Sequence, residues 1–214
     1  MSADTFDITD SITLLLFDEQ RPVASTFMRF QEHYESPEFR GEVFTRDECK
    51  EWYRETTGSF TYFDDWNGFN IPSNVLKPFY NGRFDPLTDQ ERSLLTEFSD
   101  QEPPFYLIGT HRNTSKMTDY LRHETAHRLF HTDASYQEEA LNVLSKHDTS
   151  AIKEELLSMS GYHPDVIQDE VHAYSIASHE KLDAEFPKPL RAELQSIYED
   201  HSIQHGVEFP NTLT

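Results

Sequence analysis

Cysteine, basic residues and long apolar runs are scarce in this chain. Cys49 is the one cysteine among 214 residues, which excludes an intrachain disulfide and weakly favours a reducing compartment. No apolar run approaches the length that crosses a membrane. The run at residues 12–17 is too short for a signal peptide and lacks its basic lead. We therefore expect a cytoplasmic protein that does not insert into a membrane.

The charge of the chain is strongly acidic. Lysine and arginine number 18 against 39 aspartates and glutamates, and the formal net charge is −21. Such a field repels nucleic-acid phosphates and anionic membranes, so neither is expected as a partner. The 16 phenylalanines and 10 tyrosines predict a folded protein with an unusually aromatic core rather than a disordered chain. Oligomeric state is left open.

The most informative segment is His123-Glu124-Thr125-Ala126-His127. Residues four apart lie on one face of a helix, so His123 and His127 can offer two imidazole nitrogens to one ion. Glu124, one step round the helix, can reach a water bound to that ion. The alternative is a solvated helix that carries two histidines and an acid by chance. Apolar residues lie on opposite faces of the predicted helix, which favours a buried helix. Two histidines and a glutamate in a buried helix need partners.

The motif resembles that of the zincin metallopeptidases, over the motif helix and the C-terminal half. The resemblance implies an α+β fold, mainly helical and single-domain, with a small sheet next to the active-site helix. It implies zinc as cofactor, with Glu124 as the base that activates zinc-bound water to attack a peptide or protein substrate. In zincins an extended substrate pairs with the sheet edge beside this helix, a part that residues 105–110 would play.

The third metal ligand distinguishes the zincin subclasses. Glu170, on a helix predicted to begin near Pro164, is the first candidate and matches the gluzincin arrangement. Asp133 lies at the third-ligand offset of the metzincin branch, but that branch needs a glycine where this chain has Phe130. Asp133 is therefore expected to cap the next helix instead. His131 is the remaining alternative.

A donor that stabilises the developing oxyanion is also expected. Tyr174 and His172 are the first candidates, because they lie near Glu170 in the sequence. Tyr136, Tyr162 and His163 are weaker candidates. Tyr174 stands where the gluzincins carry an acidic residue that orients a histidine, so we expect Asp169 or a residue elsewhere to orient His123. Two other functions remain open, a zinc amidohydrolase that is not a peptidase and a non-catalytic binding or regulatory protein on the same fold.

The clearest boundary in the chain is the polar, proline-containing stretch at residues 99–104. It separates an N-terminal subdomain of about 1–102 from a metal-site portion of about 103–214, within one domain. Strands are expected at 12–17 and 105–110, and the aromatic segment 60–72 is expected to be a core plug rather than a lid. Capping boxes at Thr45 and Thr88 open two predicted helices, and Ser115 or Thr118 is expected to cap the motif helix. Further helices are predicted at 23–34, 134–147, 150–159, 164–179 and 189–204.

Overall fold

The computed structural model describes residues 3–114, 116–158, 162–178, 182–183 and 185–210. Its elements confirm the α+β class, since many helices accompany one small mixed sheet. Its contacts divide the chain into two compact units, Met1–Ser115 and Lys116–Thr214. The boundary therefore falls later than the polar stretch at 99–104. The strand that follows this stretch belongs to the first unit, and the motif helix belongs to the second.

The first unit contains the four-stranded sheet. Its strands are β1 (Ala3–Thr9), β2 (Ile12–Phe17), β3 (Phe69–Pro72) and β4 (Tyr106–His111), in the order β1-β2-β4-β3. β4 runs parallel to β2 and antiparallel to β3, so it is paired along both sides. The prediction that residues 105–110 offer an edge to an extended peptide is therefore wrong, because neighbouring strands already occupy the backbone groups of β4.

Five helices pack in the first unit. They are α1 (Gln20–Glu35), α2 (Arg46–Thr57), α3 (Tyr62–Asp65), α4 (Ser73–Tyr80) and α5 (Asp89–Glu97). Both predicted capping boxes are present, Thr45 with Glu48 and Thr88 with Glu91. The aromatic segment contributes Tyr62 and Phe69 to the core, each fully buried, which confirms the interpretation of a core plug.

Helices and the turns that connect them make up the second unit, with no strand among its described residues. Its elements are α6 (Met117–Thr132), α7 (Ala134–Leu144), α8 (Ser150–Ser158), a 3-10 turn (Pro164–Val166), α9 (Ile167–Ile176) and α10 (Lys188–Gln204). The helix predicted at 164–179 divides into the 3-10 turn and α9, which ends at Ile176. Thr118 lies inside the first turn of α6 and is not its N-cap, and Ser115 lies outside the described residues.

A separate hydrophobic core holds the second unit together. α6 packs against α9 and α7, and α10 packs against the same two helices. Ala126 and Leu129 of α6 are fully buried in this core with Val171 and Ala173 of α9. Because α6 and α9 are in direct contact, the motif face of α6 meets the polar residues of α9. Among the described residues, no helix combines the length and apolarity that crossing a membrane requires.

Candidate metal centre

The two motif histidines and Glu170 converge where α6 meets α9. The Nε2 atoms of His123 and His127 lie 3.1 Å apart. Oxygens of the Glu170 carboxylate lie 3.7 Å from His123 Nε2 and 3.5 Å from His127 Nε2. One ligand atom from each of the three residues fits within a common span of 4.8 Å. The packing of α6 on α9 thus brings together the three residues that the sequence predicted as metal ligands.

These separations suit a zinc ion. Two ligands on tetrahedral zinc, at bond lengths of about 2.0–2.2 Å, lie roughly 3.3–3.6 Å apart. Glu170 Oε2 is buried and has no hydrogen-bond partner among the described residues. A buried carboxylate oxygen in that state is costly unless a cation or a proton joins it. The residues present therefore fit the metal ion that the motif implies.

Asp169 fixes the orientation of one ligand. Its Oδ2 lies 2.9 Å from Nδ1 of His127. An ionised carboxylate can only accept, so His127 Nδ1–H donates to Asp169. Nε2 then faces His123 and Glu170, and it carries a lone pair for an ion when the ring is neutral. Consecutive residues on α9 point about 100° apart, which lets Asp169 reach the outer nitrogen of His127 while Glu170 reaches the inner one. Asp169 thus orients His127, whereas the sequence predicted that Asp169 or a residue elsewhere orients His123.

Buried carboxyl and imidazole groups shift one another's pKa values in this cluster. Burial alone would lower the pKa of His127, but the charges of Asp169 and Glu170 outweigh it and hold that pKa well above its usual value. Burial raises the pKa of Glu170, and the nearby charges of Asp169 and Glu124 add to the rise. Burial would also raise the pKa of Asp169, but the charge and hydrogen bond of His127 lower it well below its usual value. The cluster thus favours bound positive charge.

Glu124 belongs to the same cluster. It is buried on α6, one residue beyond His123. Its charge raises the pKa values of His127, Glu170 and Tyr174, so its carboxylate lies within electrostatic range of these groups. The residue predicted as the base therefore belongs to the same buried electrostatic cluster as the predicted ligands.

Two tyrosines lie at the cluster. The ring of Tyr174 is tilted against that of His123, with centroids 4.4 Å apart. Its hydroxyl lies 2.8 Å from the hydroxyl of Tyr162. Tyr162 in turn donates a hydrogen bond that lowers the pKa of Glu170. The structure therefore places Tyr174, and also the weaker candidate Tyr162, next to the ligand residues.

The other candidate donors have different positions. His172 is fully buried, stacks on Phe130 and lies with its Nε2 2.5 Å from the hydroxyl of Tyr136. Its Nδ1 lies 3.6 Å from Asp169 Oδ1, so His172 is a neighbour of Asp169 on the same helix, and Tyr136 contacts His172. His163 accepts a hydrogen bond from the backbone N–H of Asp165 at the start of the 3-10 turn. These three residues contact the supporting network or a helix end rather than Glu170.

The alternative third ligands are engaged elsewhere. α6 continues through Phe130 to Thr132, so the chain makes no metzincin-type turn there. Asp133 caps α7, accepting from the backbone N–H groups of Ser135 and Tyr136. His131 Nε2 lies 2.8 Å from Asp169 Oδ2, on the outer side of the cluster.

The role of Asp169 as a shared partner of His127 and His131 was not predicted from the sequence. A usable indication was its place next to Glu170 on a helix, with both carboxylates in the first turn. Comparisons with models of protein families, with curated proteins and with solved structures found no match. The geometry of the cluster is therefore the basis on which a function is inferred.

Proposed function

We propose that this chain is a zinc-dependent metallohydrolase that cleaves peptides. The observation that carries the proposal is the convergence of His123, His127 and Glu170 with Glu124 beside them. Two imidazoles and one carboxylate are the three-ligand set of many catalytic zinc sites, which keep a further position for water or substrate. The single cysteine also supports a cytoplasmic location as part of the proposal.

Zinc, when bound, acidifies water and stabilises negative charge that develops on a carbonyl oxygen. Glu124 accepts the proton of the attacking water and passes it to the leaving amine. Asp169 holds His127 in the tautomer that presents Nε2 to the ion. Tyr174 is the first candidate to donate a hydrogen bond to the oxyanion, with Tyr162 as its partner and alternative.

A zinc amidohydrolase acting on small molecules is the second candidate. The motif determines the water chemistry and not the substrate. One observation favours this alternative, because β4 is paired on both sides and offers no edge to an extended peptide. A non-catalytic role is less well supported, since a purely structural site has no need for a carboxylate in the position of Glu124.

The test is the Glu124→Gln variant, assayed with a peptide library and with a panel of small amides. We expect it to keep its zinc and to lose hydrolysis by at least the 10²- to 10⁴-fold typical of a general base. Glu154→Gln makes the same chemical change at an exposed position on α8 and serves as the matched control. Hydrolysis that survives in Glu124→Gln at the wild-type rate would overturn the proposed mechanism. The two substrate sets distinguish peptidase from amidohydrolase.

A further inference from the structure

A second group of histidines and a carboxylate lies at the C-terminal end of α10. Asp133 Oδ2 is 2.9 Å from Nδ1 of His201 and 2.8 Å from Nε2 of His205. His201 and His205 are one helical turn apart, the same spacing as the two motif histidines. One ligand atom from each of the three residues fits within 4.8 Å. The group shares no residue with the candidate centre at Glu170.

The aspartate is held in place before any ion binds. Its Oδ1 accepts the backbone N–H groups of Ser135 and Tyr136 at the start of α7. Its Oδ2 is thereby directed at the two histidines. The His201 ring packs edge-on against the ring of Tyr136, with centroids 5.2 Å apart. Two of the three groups are thus fixed in position by contacts other than those they make with each other.

A second carboxylate stands behind His201. Glu139 Oε1 lies 3.4 Å from Nε2 of His201, on the side of the ring away from Asp133. A neutral His201 that donates Nε2–H to Glu139 turns its Nδ1 lone pair toward the Asp133 oxygen. Two lone pairs at that separation repel each other, and either a proton on Nδ1 or a metal ion bound to both atoms removes the repulsion. A carboxylate behind a histidine is also the usual outer partner of a metal-bound imidazole.

We propose that Asp133, His201 and His205 form a second metal site, which takes a divalent transition metal such as zinc. Imidazole nitrogens favour zinc and its neighbours over magnesium and calcium. The His205 side chain is 34% exposed, so ions can exchange with solvent. The site ties the end of α10 to Asp133, where α6 ends and α7 begins. Its role is to stabilise the helix that carries the motif, and not to perform chemistry.

The test is calorimetric titration of the chelator-stripped full chain with zinc alone. We expect wild type to bind about two zinc ions per chain and His205→Ala to bind about one. His147→Ala removes another histidine that pairs with a carboxylate, Glu193, and is expected to bind as wild type does. Asp133→Asn, which keeps an oxygen for the helix cap, is expected to lose the same zinc ion as His205→Ala.

A motif variant separates this proposal from the proposed function. His123→Ala is expected to keep the ion at Asp133 and to lose it when His205→Ala is added. Zinc should also raise the unfolding temperature of His123→Ala but not of the double variant. Unchanged stoichiometry in His205→Ala, or a preference for magnesium over zinc, would overturn the second site. If His123→Ala loses only the zinc ion bound by His123 and His127, the proposal of the second site is supported.

Discussion

Glu91 and Glu170 are the most deeply buried glutamates among the described residues, and their pKa values move in opposite directions. Glu91, in the first unit, forms a paired salt bridge with Arg29, whose Nε and Nη2 donate to its two oxygens at 2.7 and 2.6 Å. Burial would raise the pKa of Glu91, but the hydrogen bonds of Arg29 lower it. Glu170, in the second unit, has a raised pKa because burial and neighbouring carboxylates disfavour its charge.

The difference lies in the cation that each glutamate meets. Arg29 also donates to the backbone carbonyls of Phe84 and Pro86, so the first pair is a complete hydrogen-bonded unit. Glu170 shares one buried cluster with Asp169 and Glu124, and the nearby positive charge that lowers its pKa is that of His127. Removing one partner of a complete buried pair leaves an uncompensated charge and is strongly destabilising, whereas buried carboxylates without such a partner fit a bound metal ion. The comparison yields four predictions.

Breaking the complete pair should have the largest effect on stability. Arg29→Met leaves the Glu91 carboxylate buried without its cation, and we expect a loss of about 3–5 kcal/mol in the free energy of unfolding. Denaturant titration measures it. Arg21→Met removes the exposed pair with Asp64, whose side chains are 67% and 58% exposed, and should cost no more than about 0.5 kcal/mol. Equal losses in the two variants would contradict the comparison.

Removing the charge of Glu170 should affect metal binding and not the fold. Glu170→Gln is expected to weaken zinc binding by more than 100-fold, beyond the range typical of outer partners. The stripped variant should be at least as stable as wild type at neutral pH, since a neutral amide replaces a buried carboxylate. Competition with a chromogenic chelator measures the affinity in the His205→Ala background. An unchanged zinc affinity would exclude Glu170 as a ligand and would make His131 the next candidate for the third ligand.

Loss of the orienting carboxylate should have an intermediate effect. Asp169→Asn can still accept from His127 but loses its negative charge, and we expect zinc affinity to fall by about 10- to 100-fold. Asp165→Asn, at an exposed aspartate in the 3-10 turn before α9, is the matched control. An affinity that is equal in the two variants would show that the Asp169–His127 contact does not support the metal.

The smallest expected effect concerns Glu32, a buried glutamate of α1 in the first unit. Burial raises its pKa to about 7, while hydrogen bonds with Ser36 and Tyr62 lower it in part. A carboxyl with a raised folded-state pKa contributes stability at low pH that is lost as pH rises through about 7. Glu32→Gln should therefore raise the free energy of unfolding by roughly 1–3 kcal/mol at pH 8 and change little near pH 4. An equal gain in the free energy of unfolding at the two pH values would contradict a raised pKa for Glu32.

Much of the fold could be predicted because its elements carry local patterns. The apolar run of β2 matches the predicted bounds, and Thr45 and Thr88 form the capping boxes that their sequences predicted. β1 was missed because Ile8 is its one buried residue, so it has no clear apolar alternation to detect. α4 was missed because Pro78 lies inside it, which argues against a helix in sequence alone.

The candidate site was predictable where one helix determines the geometry. The spacing of His123 and His127 fixes their common face, and Glu170 followed from a second predicted helix. The partner of Asp169 could not be predicted, because it depends on how α9 packs against α6. The group of Asp133, His201 and His205 could not be predicted for the same reason, because it depends on how α10 packs against the junction of α6 and α7.

The most direct test of the account is the zinc content of the His205→Ala variant, purified without chelator or metal-affinity resin. This variant retains only the candidate centre at His123, His127 and Glu170. We predict about one zinc ion per chain by elemental analysis, and none after Glu170→Ala is added. A chain that contains no zinc, and takes up none when zinc is supplied at neutral pH, would contradict the central claim.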